Sequence, residues 1–131
     1  MKPTVSPRLV VANVDEAVDY YEKCLGAEQG VRHAEPSGHI VHAELTIGMT
    51  VLSLTQSRDD WGLQTPEALG GSPLLLTLAV PNASAVGAAM VAEGAEELIP
   101  IEDRPYGKRE GRVRDPFGHL WVISQDLGAE D

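Results

Sequence analysis

Val11-Ala-Asn13-Val14 returns 69 residues later as Val80-Pro-Asn82-Ala83, and Gly26-Ala-Glu28 returns as Gly94-Ala-Glu96. The offset is close to half of the 131 residues, so whatever the first half folds into, the second half is expected to fold into again. A chain of this length can bury a real core without disulfides or metals, and one domain is the expectation for it. The repeat divides it into module one at about 1–57, a connection at about 58–72, module two at about 73–125 and a short C-terminal tail.

Within each half the pattern is strand, helix, then three strands. Val5 to Val11 alternates as a strand. Asn13 followed by Glu16 is a capping-box arrangement that opens a helix; Val14, Ala17, Val18, Tyr21 and Leu25 form its apolar stripe, and Gly26 is placed to end it. Strands are expected at Glu28 to Ala34, His39 to Ile47 and Thr50 to Thr55, then at Glu96 to Glu102, Lys108 to Arg114 and His119 to Ser124. Gly48-Met49 suits a two-residue type II′ hairpin turn, and Asp115-Pro-Phe-Gly118 spells a longer turn that leads into a strand buried on both faces. Gln56 to Ser72 shows no period and reads as an ordered connection. The fold class is therefore α+β, βαβββ written twice.

Composition narrows the partners. Twenty acidic against ten basic residues leave a formal charge of -10, which repels nucleic acid and anionic membrane alike. There is no basic leader followed by an apolar run and no apolar stretch near twenty residues, so the expectation is a soluble cytoplasmic protein. The single Cys24 falls in the last turn of the first helix among apolar residues, where a reduced core thiol is the natural reading.

Gly107-Lys-Arg109-Glu-Gly111-Arg-Val113-Arg-Asp115-Pro-Phe-Gly-His119-Leu-Trp121 resembles the G-x-R-x-G-x-V-x-D-P-F-G-H-x-W branch of the glyoxalase/bleomycin-resistance (vicinal oxygen chelate) superfamily. Pro7-Arg-Leu-Val-Val, Ala17-Val-Asp-Tyr-Tyr, Thr65-Pro-Glu-Ala-Leu-Gly-Gly-Ser72 and Tyr106-Gly-Lys-Arg match as well, so the resemblance covers nearly the whole chain. It implies two βαβββ modules forming curved mixed sheets around a cavity. It does not choose among functions, because that scaffold carries lyases, isomerases, dioxygenases, thiol transferases and drug-binding proteins.

The resemblance also implies four metal-ligand positions, on the first and fourth strands of each module. Alignment puts Ser6, Ser53, Leu75 and Val122 there, and the duplication agrees, since each module-two position lies 69 residues after its mate. None supplies an imidazole or a carboxylate, so no metal and no cofactor is expected. His33, His39, His42 and His119 fall elsewhere; a rearranged site using His42 and Glu44 is the alternative.

Because strand side chains alternate, the residues that share a face with those positions are expected to line the cavity. They are Arg8 beside Ser6, Val51 beside Ser53, Thr77 beside Leu75, and Leu120 beside Val122, with Glu44 opposite Ser53 and His42 opposite Thr55 if Gly48-Met49 is a two-residue turn. The family pattern points Arg112 inward as the near mate of Glu44. Glu44 and Arg112 either pair with each other or touch a ligand; His42 is either a base or a hydrogen-bonded interior histidine. Trp121 is expected in the core, with Phe117 and His119 serving the turn. Trp61 and Tyr106 lie in connecting segments, where a flat ring can stack on a planar ligand. The ligand-binding candidates are thus Arg8, His42, Glu44, Val51, Ser53, Trp61, Leu75, Thr77, Tyr106, Arg112, Leu120 and Val122.

Three functions fit this pattern. A metal-free pocket could sequester an apolar or aromatic small molecule such as an antibiotic, as the resistance proteins of the superfamily do; a metal-free enzyme could use Glu44 or His42 as base; a regulatory domain would need no ligand. A homodimer is expected from the resemblance and from the open sheet edges.

Overall fold

A computed structural model describes residues 1–128 and resolves two compact units, Met1–Leu69 and Gly70 onward. The first contains β1 (Arg8–Val11), α1 (Val14–Leu25), β2 (Glu28–Ala34), β3 (Ile40–Ile47) and β4 (Thr50–Gln56), followed by a 3-10 turn at Asp59–Trp61 and the short α2 (Pro66–Leu69). The second contains β5 (Leu75–Ala79), α3 (Ala83–Ala92), β6 (Glu96–Asp103), β7 (Lys108–Arg114) and β8 (Leu120–Asp126). Each forms a four-stranded mixed sheet, ordered β1-β4-β3-β2 and β5-β8-β7-β6, with the first strand parallel to the last and the remaining pairs antiparallel. This is the α+β architecture of two tandem βαβββ modules.

The caps of the two main helices follow the repeated text. Asn13 and Asn82 sit outside their helices in non-helical conformations, and each side chain accepts from the backbone N–H three residues on, at 3.1 Å in both cases. Such a cap contributes about 1 kcal/mol. Gly26 closes α1 in the left-handed conformation at φ 66°, whereas α3 ends on Glu93 and Gly94 follows it at φ 116°.

Helix α1 packs its stripe against one face of the first sheet. There Leu9, Val11, Ala43, Leu45, Leu52 and Leu54 are buried with Val14, Ala17, Val18 and Tyr21. The second unit buries Val113, Trp121 and Ile123 from its sheet and Ala83 and Met90 from α3. Among the described residues no helix is long and apolar enough to cross a membrane.

Several strand ends differ from the sequence reading. The first strand begins at Arg8 rather than Val5: Pro7 has no N–H to give to a ladder, and only its carbonyl joins, accepting from Ser53 N at 3.1 Å. Strands β3 and β8 begin one residue after His39 and His119, because those residues close turns. The turns are variants of one motif. In Glu35-Pro-Ser-Gly-His39, Arg104-Pro-Tyr-Gly-Lys108 and Asp115-Pro-Phe-Gly-His119, the first N–H donates to the fifth carbonyl at 2.7–2.9 Å, and the fourth residue is a glycine at φ 82–92°. At Gly48-Met49 only the glycine has positive φ (57°), which agrees with the type II′ geometry. The connection holds the turn at Asp59–Trp61 and α2, whose Ala68 N–H donates to the Thr65 hydroxyl at 3.2 Å.

Candidate functional site

In each unit the sheet face turned away from the helix carries a depression, and alternation decides what lines it. In the first unit Arg8, His42, Glu44, Val51 and Ser53 come together with Ser6 and Leu52 around a volume of about 460 Å³. The register places Glu44 directly opposite Ser53 across β3 and β4, and Arg8 beside Ser53 across β1 and β4. Arg8 Nε donates to Ser53 Oγ at 3.1 Å, and His42 Nε2 lies 3.2 Å from Glu44 Oε2. Glu44 thus has a partner within its own sheet, at His42.

Two glycine and histidine details complete this face. Gly30 on β2 leaves room for the Glu44 side chain, since a Cβ there would stand 3.2 Å from Glu44 Oε1. His33, paired with His42 in the strand register, stacks its ring at 5.9 Å from that of His42. His42 Nδ1 is buried with no hydrogen-bond partner. When Nε2 carries the proton that Glu44 accepts, Nδ1 presents a lone pair, the tautomer a general base or a hydrogen-bond acceptor needs.

In the second unit Tyr106, Arg112 and Val122 line a smaller depression of about 100 Å³ with Ile99, Arg104, Glu110 and Gly111. The Tyr106 hydroxyl donates to Glu110 Oε1 at 2.8 Å, and Arg104 Nε donates to the Glu110 carbonyl at 3.0 Å. Hydrogen bonds from the Ser124 and Tyr106 hydroxyls hold the Glu110 carboxyl below its usual range, and Glu110 in turn pushes the Tyr106 phenol up. Leu75, Thr77 and Leu120 alternate onto the same face, with Leu75 beside Leu120 and Thr77 beside Val122, and Arg112 opposite Val122. Arg104, Glu110 and Ile99 are absent from the sequence candidates. Glu110 was within reach, two residues before Arg112 on the same strand.

Trp61 lines neither depression. It stands in the turn after β4, with the Arg58 guanidinium 4.2 Å above its ring and Arg58 held by Glu35 through two hydrogen bonds of 2.5 and 3.1 Å. Trp121 is buried, and its indole Nε1 donates to Asp115 Oδ2 at 2.9 Å, so its role belongs to the turn and core.

Ser6, Ser53, Leu75 and Val122, at the positions that the resemblance assigns to metal ligands, include no imidazole or carboxylate and do not fit a divalent metal. Ser53 Oγ already accepts from a guanidinium, which repels a second cation, while Leu75 and Val122 offer no donor atom. Among the described residues no group of three or more His, Cys, Asp or Glu side chains could hold a metal ion.

Comparison with known proteins gives concordant results. A model of the Glyoxalase/Bleomycin resistance protein/Dioxygenase superfamily matches residues 4–123. The uncharacterized protein Mb0911c of Mycobacterium bovis is 36% identical over 130 residues, covering 97% of this chain and 86% of its own. Among solved structures, TioX from Micromonospora sp. ML1 superposes with a TM-score of 0.72 at 24% identity, covering 96% of this chain and 100% of that one. The fosfomycin resistance protein FosX of Listeria monocytogenes gives a TM-score of 0.72 at 14% identity, covering 98% and 95%. At these identities the structural likeness concerns the fold.

Proposed function

The chain belongs to the Glyoxalase/Bleomycin resistance protein/Dioxygenase superfamily, and from that premise we propose that it is a metal-independent small-molecule binding protein that sequesters an apolar or aromatic compound, an antibiotic being the natural candidate. The observation that carries the reading is the Arg8–Ser53 hydrogen bond: a guanidinium is engaged at a position where metal-using relatives need an anionic or neutral donor facing a cation. What remains on the two sheet faces is oily wall interrupted by a few polar anchors, the usual composition of a small-ligand site. Val51, Leu75 and Ile99 leave 41%, 44% and 40% of their surface exposed on one chain, which supports a homodimer that covers apolar surface. A cytoplasmic location is part of the same reading.

Capture predicts stoichiometric binding from a panel of planar natural products, unaltered when a chelator or a divalent metal is added, with the compound recovered chemically unchanged by mass spectrometry. Tyr106→Ala should weaken that binding about tenfold through loss of stacking, read by calorimetry, and light scattering should give twice the 14.0 kDa chain mass. Metal-dependent turnover or a strict monomer would count against it.

The His42–Glu44 pair favours a second reading, a metal-free enzyme in which His42 Nδ1 takes a proton from a substrate while Glu44 orients the ring. Recovery of an altered compound, with Glu44→Gln abolishing turnover and leaving binding intact, would select it.

A further inference from the structure

Arg112 stands apart in the charge map of this chain. Acidic residues outnumber basic ones two to one, and Arg32, Arg58, Arg104, Lys108, Arg109 and Arg114 each have a carboxylate oxygen within 4.0 Å. Among the described arginines Arg8 and Arg112 have no such partner; Arg8 donates to Ser53 Oγ, whereas Arg112 is half-buried and its Nε is fully buried without a hydrogen bond. Register explains why. Its neighbours across the ladder are Ile99 on β6 and Val122 on β8, whose side chains offer no acceptor. The nearest acid along its own face, Glu110, is engaged by Tyr106 and Ser124. A guanidinium left without a carboxylate in so acidic a chain, lining a depression with two apolar walls, is arranged for an acceptor that arrives from outside.

We propose that Arg112 anchors a carboxylate of the ligand, its planar fork taking the two oxygens while Ile99, Val122 and the Tyr106 ring hold the adjoining carbon skeleton. This deepens the binding reading above and rests on it. The fork pairs with two phosphate oxygens as readily as with two carboxylate oxygens; the apolar walls of Ile99 and Val122 and the net charge of -10 favour a singly charged group carried on a carbon skeleton over a phosphate dianion. The volume of about 100 Å³ is small beside an ordinary ligand cleft of roughly 300–1,000 Å³, so the pocket takes the head group and leaves the body of the ligand on the open sheet face.

The test uses benzoate, its neutral isostere benzamide, and inorganic phosphate, with calorimetry and the Arg112 Nε–H resonance in nitrogen-15 spectra as readouts. Benzoate should bind, move that resonance, and exceed benzamide by about ten- to hundredfold, the effect of a charge-assisted hydrogen bond. Arg112→Gln should abolish the preference with the thermal midpoint unchanged or raised, because no native partner is lost. The resonance in the unmodified protein reads the contact independently of how the variant folds. Equal binding of benzoate and benzamide, unaffected by Arg112→Gln, would overturn the carboxylate anchor and leave capture of apolar compounds standing. Phosphate competing as well as benzoate would overturn the carboxylate assignment in favour of oxyanions in general. Failure of both aromatic probes to bind would overturn the anchor, while the panel of planar natural products decides the capture reading separately.

Discussion

Replacing Asp115 by alanine should cost about 3–5 kcal/mol, the loss expected when a buried charged hub is removed and its donors are stranded. Asp115 is 3% exposed, and its carboxylate organises the whole β7–β8 turn. Oδ1 accepts from the backbone N–H groups of Phe117 and His119, each at 2.9 Å, and Oδ2 accepts from the Trp121 indole at 2.9 Å. Each donor left buried without a partner costs about 1–3 kcal/mol, less than additively because water and repacking recover part. Against a total stability of about 5–15 kcal/mol, the variant should be largely unfolded at 37 °C or melt about 10–20 °C lower. Asp115→Asn should fall about halfway, since one oxygen still accepts while its amide NH2 confronts the indole N–H. Thermal unfolding followed by circular dichroism reads both, and a loss below about 1 kcal/mol for the alanine variant would show that the turn holds without its carboxylate.

Gly111→Ala should destabilise by about 3 kcal/mol, at the upper end of the overpacking range. A Cβ at this position would stand 2.6 Å from the Ile99 carbonyl oxygen and 2.7 Å from both Ile101 N and Ile101 Cγ1. Two of those atoms are backbone, so relief requires β6 to move away from β7. It would do so where the register already shifts, between Ile99 paired with Arg112 and Glu102 paired with Glu110. The variant should therefore also lose carboxylate binding, because Ile99 forms the wall beside Arg112. Gly71→Ala is the matched control: it has negative φ and nothing within 4 Å, and should change stability by no more than about 0.5 kcal/mol. Chemical denaturation of both variants checks the pair, and equal stability would mean that β6 adapts freely at its irregularity.

The outcome of these variants bears on how the motif around Asp115 should be read. Written as a string, Gly111-Arg-Val-Arg-Asp-Pro-Phe-Gly-His-Leu-Trp looks like one signature. In the folded chain it separates into parts with different duties. Gly111 admits β6, Val113 and Trp121 fill the core, Asp115 to His119 close the turn, and only Arg112 is left facing a pocket without a partner. The residues with structural duties outnumber Arg112 and Leu120, the two side chains turned to the open sheet face, so the signature reports the fold far better than the function.

Much of this protein is local and was legible in the amino-acid order. The caps at Asn13 and Asn82, the stop at Gly26, the stripe on α1, the two-residue turn at Gly48 and the opposition of Glu44 to Ser53 all follow from periods of 3.6 and 2 and from turn stereochemistry. The repeat extended those local readings to βαβββ written twice. What it did not contain is the identity of partners brought together by pairing across strands and loops. Arg8 meets Ser53 over a separation of 45 residues, and Arg58 meets Glu35 over 23, covering one face of Trp61. Charge alone allows any of twenty acids for any of ten bases. Only strand register and burial decide which pairs close, and they leave Arg112 flanked by Ile99 and Val122 with its Nε unsatisfied.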